Sequence, residues 1–245
     1  MINSRIKVGE LAVRVAADTD IGLRYQANFD TLYVDPDQML IVIADGMGGG
    51  EGSAVASRTA VEVFAEEVGS AVPGPTSLRA AVGEAQRRVR AEGERLGELT
   101  GCTLTALVGG DAGDAWIVQV GDSRAHRLRN GLLELLTVDH TEAWLAAVYG
   151  WYPSGSPQAA AARYRLTRYV GHPEQPEPDI LNVALRPGDT YCVCSDGLAD
   201  HITYQRLREA MGLPPEEAVP ALLTVAEQAG GLDNATVAVL TVEAG

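Results

Sequence analysis

Apolar positions along this chain recur first every second residue, then every third and fourth, and the alternation of those two periods sets the elements it predicts. Residues 6–17 alternate loosely and predict one strand, and 32–34 predict a short one. Leu40 to Ala44 is a continuous apolar run of the kind that forms a buried strand. From Glu51 to Val68, Val55, Val61, Val63, Phe64 and Val68 among alanines form a helical pattern with one buried face. Pro73-Gly74-Pro75 breaks it, Thr76 or Ser77 offers a cap to a second helix, and that helix runs to about Leu99 with its charges on a solvated face.

Period two returns at 102–108, 115–120, 125–128 and 132–136. Asp111-Ala-Gly-Asp and Arg129-Asn-Gly supply hairpin signals, so these segments predict an antiparallel meander and not a βαβ repeat. Strands follow at 180–184 and 190–194, helices at 204–211 and 215–229, and a closing strand at 235–242. This order predicts an α+β fold in which paired helices cover the outer faces of two packed sheets.

Composition narrows the picture. No Pro- or Ser-rich linker and no internal repeat divides the 245 residues, so one domain over 1–245 is expected, as a monomer. Apolar residues make up 46% and aromatic ones 5%, which predicts a core of Val, Leu, Ala and Ile. A formal charge of −14 argues against nucleic acid or an anionic membrane as a general partner. With no apolar run of 18 residues and no signal pattern, the expected location is the cytoplasm. Cys102, Cys192 and Cys194 are odd in number and lie in apolar segments, as buried reduced thiols would.

The candidate chemistry lies where strands end. The run Leu40 to Ala44 stops at Asp45 and turns into Gly46-Met47-Gly48-Gly49-Gly50, a loop whose backbone can approach an ion or a phosphate closely. Residues 190–195 run likewise into Asp196-Gly197, and Gly231-Leu-Asp-Asn places Asp233 at the mouth of the final strand. Gly121-Asp122-Ser-Arg is a further aspartate between strands. Carboxylates gathered at one edge repel unless a cation neutralises them, and oxygen ligands of this kind suit Mg²⁺ and Mn²⁺. Arg24 is either a phosphate ligand or a solvated surface arginine. Six of the thirteen aromatics fall within 139–172, which reads either as a helical insertion packed on its own aromatics or as a lid over a site.

Taken in order, Asp45-Gly-Met-Gly-Gly with Ala56-Ser57, Gly101-Cys-Thr, Gly121-Asp-Ser-Arg, Leu136-Thr-Val-Asp-His, Leu166-Thr-Arg, Ser195-Asp-Gly-Leu and Asp233-Asn234 resemble the motifs of the metal-dependent Ser/Thr protein phosphatases of type 2C, the PPM family, in its bacterial branch. The resemblance implies a four-layer αββα sandwich with a flap at about 139–172. It implies two Mn²⁺ or Mg²⁺ ions on Asp45, Asp196, Asp233 and the Gly46 carbonyl, and a weaker third site on Asp122 and Asp196. Arg24 and Asp30 would stand with Asp45 at the catalytic centre, and Asp30 and Asn234 would support the ligands. The substrate implied is a phosphorylated protein, the product of a Ser/Thr kinase. Met47 stands where some relatives carry a histidine that protonates the leaving oxygen.

One departure bears on the metals. The family's first motif usually ends Asn-Glu-Asp, and here it ends Asn28-Phe29-Asp30, with a phenyl ring where a carboxylate is expected. Arg24 is also one residue further from that position than in animal relatives, so Tyr25 is the alternative occupant of the phosphate-gripping place. Two other functions therefore stand beside the protein phosphatase: hydrolysis of a small phosphorylated metabolite, and binding of a phosphorylated partner without turnover.

Overall fold

The computed structural model describes residues 1–153 and 155–245. β1 (Ile2–Val8) and β2 (Leu11–Asp20) form a hairpin, with Ile6 opposite Val13. The single strand expected over 6–17 is thus two. Gly9, at φ +58°, turns the chain back in a left-handed conformation that costs glycine no Cβ clash. β3 (Asp30–Val34) and β4 (Leu40–Asp45) pair next, and α1 (Glu51–Gly69) and α2 (Pro75–Leu96) follow. Neither expected residue is the cap of α2: Gly74 is, and Ser77 Oγ accepts from the Gly74 N–H at 3.0 Å.

β5 (Leu104–Gly109) pairs with β6 (Asp114–Val120), and β7 (Arg124–Arg129) with β8 (Leu132–Leu135). These two hairpins belong to different sheets, so the expected meander is split. The chain crosses between the sheets at Gly121-Asp122-Ser123. Gly121 has φ +109°, and a Cβ there would lie 2.6 Å from Thr103 Cγ2, so the crossing needs glycine. The remaining elements are α3 (Glu142–Tyr149), α4 (Pro157–Ala162), β9 (Asp179–Ala184), β10 (Thr190–Cys194), the short α5 (Asp196–Ala199), α6 (Tyr204–Ala210), α7 (Pro215–Gln228) and β11 (Ala235–Ala244).

One sheet has the order β1-β2-β11-β10-β7-β8 and the other β3-β4-β5-β6-β9, both antiparallel. The period of two divides each central strand between two cores. Ile41 and Ile43 of β4 meet Val15, Val193 and Leu240 between the sheets. Leu40, Val42 and Ala44 of the same strand face Phe64, Leu78 and Val82 of the α1–α2 layer. In the other sheet Cys192, Cys194, Val237 and Val239 face Leu198 of α5 and Leu222 of α7. Burial on both faces is why these strands read as unbroken apolar runs. The three cysteines are buried and free.

The insertion carries α3 and α4. Tyr149 and Trp151 stack at 5.5 Å, yet both stay more than half exposed, and Tyr164 is 81% exposed. Packing of its own aromatics therefore accounts for only part of this segment. Phe64, fully buried on the inner face of α1, is expected to cost about 3–5 kcal/mol when replaced by Ala, because the cavity left against the sheet cannot collapse. Leu132→Ala, at an exposed position, is expected to change stability by no more than about 0.5 kcal/mol; urea unfolding of both variants checks the contrast.

Candidate active site

Strand register puts the acidic residues together. Asp45 is the last residue of β4 and pairs with Asp30, the first of β3. Its backbone is pinned to the residue just before β5, since its N–H donates to Thr103 Oγ1 at 3.0 Å and its carbonyl accepts from the Thr103 N–H at 2.8 Å. Asp196 opens α5 directly after β10. Asp233 precedes β11, and Asp122 sits on the crossing between sheets. Asp45, Asp122, Asp196 and Asp233 border one cavity of about 310 Å³, together with Arg24, Tyr25, Gly46 and Met47.

Asn234 ties the loop before β3 to this edge. Its Oδ1 accepts from the Phe29 N–H at 2.7 Å, its Nδ2 donates to the Ile21 carbonyl at 2.8 Å, and its own N–H donates to Asp233 Oδ1 at 2.8 Å. Asp30 is expected both at the catalytic centre and as a support to the ligands. It does not border the cavity, because its carboxyl turns beneath it and accepts from Ser195 Oγ at 2.8 Å and Thr236 Oγ1 at 2.6 Å. Arg24 and Tyr25 both border the cavity, and the Arg24 guanidinium lies 5.1 Å from the centre of the Tyr25 ring. Phe29 does not: its ring stands edge-on to Tyr25 at 5.6 Å, on the side of Gly49.

The carboxyls oppose one another. Burial, then the charges of Asp30 and Asp196, push Asp45 well above the usual carboxylate range. Burial and Asp196 do the same to Asp122, and burial raises Asp196 to about 6 and Asp30 to about 7. Asp233 is raised by burial, against its hydrogen bond from the Asn234 N–H and the nearby charge of Arg24. Asp196 Oδ1 is buried and has no hydrogen-bond partner among the described residues. Such an oxygen, amid like charges, fits a hard cation. No three His, Cys, Asp or Glu side chains among the described residues form a ready cage for one ion, so an ion here would complete its shell with backbone oxygen and water, as Mg²⁺ commonly does.

A second set of contacts, to which sequence reasoning assigned no role, holds the edge from behind. Arg124 donates to both oxygens of Asp139 (2.9 and 2.6 Å), to Asp200 Oδ1 (2.9 Å) and to the Ala199 carbonyl (3.1 Å). One guanidinium thus joins the Asp122 crossing, the root of the insertion and the end of α5. His140 Nδ1 accepts from the Gly121 N–H at 3.1 Å, which leaves Nε2 to carry the proton and donate to Asp179 at 3.1 Å. The only signal was that Arg124, Asp139 and His140 lie inside quoted motifs.

Two packed antiparallel sheets, helix pairs outside them and an acidic cavity at one edge define a four-layer αββα sandwich of the kind used by metal-dependent phosphatases. The family described as protein phosphatase 2C matches residues 22–216, and the chain belongs to it. It is 32% identical over 240 residues to the serine/threonine protein phosphatase PstP of Mycobacterium tuberculosis, a match that covers 95% of this chain and 45% of PstP. The chain therefore spans about half the length of that relative. Protein phosphatase PhpP of Streptococcus pneumoniae is 28% identical over 237 residues, with 91% of this chain and 95% of PhpP covered. Among solved structures, the catalytic domain of PstP in complex with two manganese ions superposes with a TM-score of 0.83 at 32% identity, covering 95% of this chain and 99% of that one.

Two measurements probe this edge. The folded state holds the Asp30 proton more tightly than the unfolded chain, so the stability that proton contributes is complete below about pH 4 and is lost as pH rises through 7. Asp30→Asn stays neutral, and in chelator-treated protein it is expected to gain stability over wild type, on the order of 1–4 kcal/mol, between pH 4 and 8. A pH-independent difference in urea unfolding would contradict this. Arg124→Met leaves Asp139 and Asp200 unpaired and is expected to cost about 2–4 kcal/mol by the same measurement, less than a fully buried pair because the side chain is 18% exposed.

Proposed function

We propose that this chain hydrolyses phosphate monoesters of serine and threonine in proteins, with two Mn²⁺ or Mg²⁺ ions held by Asp45, Asp196, Asp233 and the Gly46 carbonyl. Asp122, with Asp196, offers a third and weaker place. The observation that carries this reading is the buried, partnerless Asp196 Oδ1 in a cavity bordered by four carboxylates. PstP is named a Ser/Thr protein phosphatase, and its catalytic domain was solved with two manganese ions, which supports both the activity and the metal.

Bound there, such ions supply Lewis-acid charge and lower the pKa of water. The chain's own residues do the rest. Arg24, propped against Tyr25, presents guanidinium N–H groups to the phosphoryl oxygens. Asn234 fixes Asp233 through its N–H and fixes the Arg24 loop through the Ile21 carbonyl and the Phe29 N–H. Ser195 and Thr236 hold Asp30 beneath the cavity and so set the entry to α5, where Asp196 begins. Met47 borders the cavity and carries no titratable proton, so at that place a water would have to protonate the leaving oxygen.

We read 1–245 as one phosphatase unit with a flap at about 139–172, acting as a monomer on proteins phosphorylated by Ser/Thr kinases. Three buried free thiols support a reducing compartment, the cytoplasm. No helix among the described residues is long and apolar enough to cross a membrane. Phe29 favours a second reading, binding of a phosphorylated partner without turnover, because its ring packs on Tyr25 and gives the ion at Gly46 no carboxylate from this loop.

Hydrolysis of p-nitrophenyl phosphate across Mn²⁺ concentrations tests both. Wild type is expected to be active, and Phe29→Glu to lower the half-saturating Mn²⁺ by about three- to tenfold. Asp196→Asn and Asp233→Asn are expected to lose about 100-fold or more. Activity absent from wild type and gained with Phe29→Glu would give the second reading the lead.

A further inference from the structure

Among the described residues, the Gly46 carbonyl is the one backbone group from Asp45 to Met47 without a hydrogen-bond partner. Both backbone groups of Asp45 are taken by Thr103. The Gly46 N–H donates to the Phe29 carbonyl at 3.2 Å, and the Met47 N–H donates to the Gly101 carbonyl at 2.9 Å. The Met47 carbonyl accepts from Ser53 Oγ at 2.6 Å.

Two of these bonds determine where the free oxygen points. The peptide between Gly46 and Met47 is trans, so its C=O and N–H lie antiparallel in one plane, and the bond to Gly101 aims the Gly46 carbonyl the opposite way. That bond alone lets the plane tilt about its two Cα atoms. Ser53 removes the tilt, because it holds the next peptide by the Met47 carbonyl. Its own position is firm. Ser53 lies in the first turn of α1, is 4% exposed, and its carbonyl sits so close to Gly46 that a Cβ there would run into it. Glu98 steadies the same turn from the other side, accepting from the Gly52 N–H at 2.7 Å. The Ser53 hydroxyl has no other partner among the described residues.

We propose that Ser53 is a positioning residue, whose hydroxyl sets, through the Met47 carbonyl, the direction in which the Gly46 carbonyl meets a divalent ion. The proposal rests on the metal assignment above and adds to it a side chain that touches no ion. The ion at Gly46 receives no carboxylate from Phe29, so the aim of that one carbonyl counts for more in holding it.

The test compares wild type with Ser53→Ala, which deletes the hydroxyl, and Ser53→Thr, which keeps it. Ser57→Ala is the control for a merely structural loss: that hydroxyl is equally buried in α1, and its partners are Thr31 Oγ1 at 2.9 Å and the Ala54 carbonyl at 3.4 Å. Mn²⁺ binding is followed by the electron paramagnetic resonance of the free ion. One of the Mn²⁺ dissociation constants is expected to rise about tenfold in Ser53→Ala and to stay within about threefold of wild type in Ser53→Thr and Ser57→Ala. In chelator-treated protein, hydrogen exchange at the Met47 amide is expected to quicken about tenfold in Ser53→Ala and not in Ser57→Ala. Circular dichroism identifies a variant that fails to fold; Ser53→Gly then replaces the alanine, and the contrast with Ser57→Ala decides without the threonine. Unchanged Mn²⁺ affinity in Ser53→Ala, an equal loss in Ser57→Ala, or an unchanged Met47 amide overturns the proposal. Hydrolysis of p-nitrophenyl phosphate separates the two readings. Turnover by wild type with unaltered Mn²⁺ binding in Ser53→Ala removes the positioning role alone, and a loss of binding confined to Ser53→Ala in a protein without turnover removes the phosphatase reading alone. A wild type that binds no Mn²⁺ removes both.

Discussion

Like charges that cannot reach water dominate this molecule. Asp30 and Asp45 are paired in register across β3 and β4, Asp196 begins the turn after β10, and Asp122 and Asp233 close the group from the crossing and from the approach to β11. Each carboxyl is raised by burial and most by a neighbouring carboxylate as well. An edge of this kind stays assembled only if stiff elements hold it there. The apolar core between the sheets supplies that stiffness, since Ile43, Val193 and Leu240 fix the strands whose ends carry the acids. Hydroxyl groups then set the fine position: Thr103 beside Asp45, and Ser195 and Thr236 on Asp30.

The same repulsion explains why one arginine behind the edge matters. Arg124 lies two residues from Asp122, and its charge opposes the rise of both Asp122 and Asp196. Because its donors are spread over Asp139, Asp200 and Ala199, it also mechanically joins the insertion to α5. Any shift of α3 and α4 that pulls on Asp139 is therefore felt at the helix that begins with Asp196. His140 adds a second tie from the same side, through the Gly121 N–H to the crossing and through Asp179 to β9.

The long elements and the acids were legible in the sequence because both are local signals. β4 and β10 are buried on both faces and so read as apolar runs, and the four cavity aspartates follow such runs or sit at glycine turns. What escaped was set by distant residues. The hairpin at Gly9 and the crossing at Gly121 depend on a left-handed backbone that a glycine permits but does not announce. Sheet membership of β5 to β8 is a pairing choice, so the expected meander carried no sign of its division. Asp30 was expected both at the chemistry and behind the ligands, and the two hydroxyls that hold it, 165 and 206 residues away in sequence, gave no local signal. α5, at four residues, is barely one helical turn and left no repeating pattern.

Phe29 changes the balance of that edge in two directions. A carboxylate in its place would add an oxygen ligand and also a further negative charge, beside an Asp45 already raised by three carboxylate neighbours. The phenyl ring gives neither, and packs on Tyr25 instead. Tyr25 in turn carries Arg24 on its face, and the Arg24 charge lowers Asp233. The loop has therefore exchanged an anion for an aromatic pair that supports a cation at the cavity mouth. Under the function proposed above, an edge built this way would repel itself less and hold its ions with fewer ligands, with Arg24 fixed at the mouth as a donor to phosphate, so that weaker metal retention and firmer substrate gripping would be two effects of one substitution.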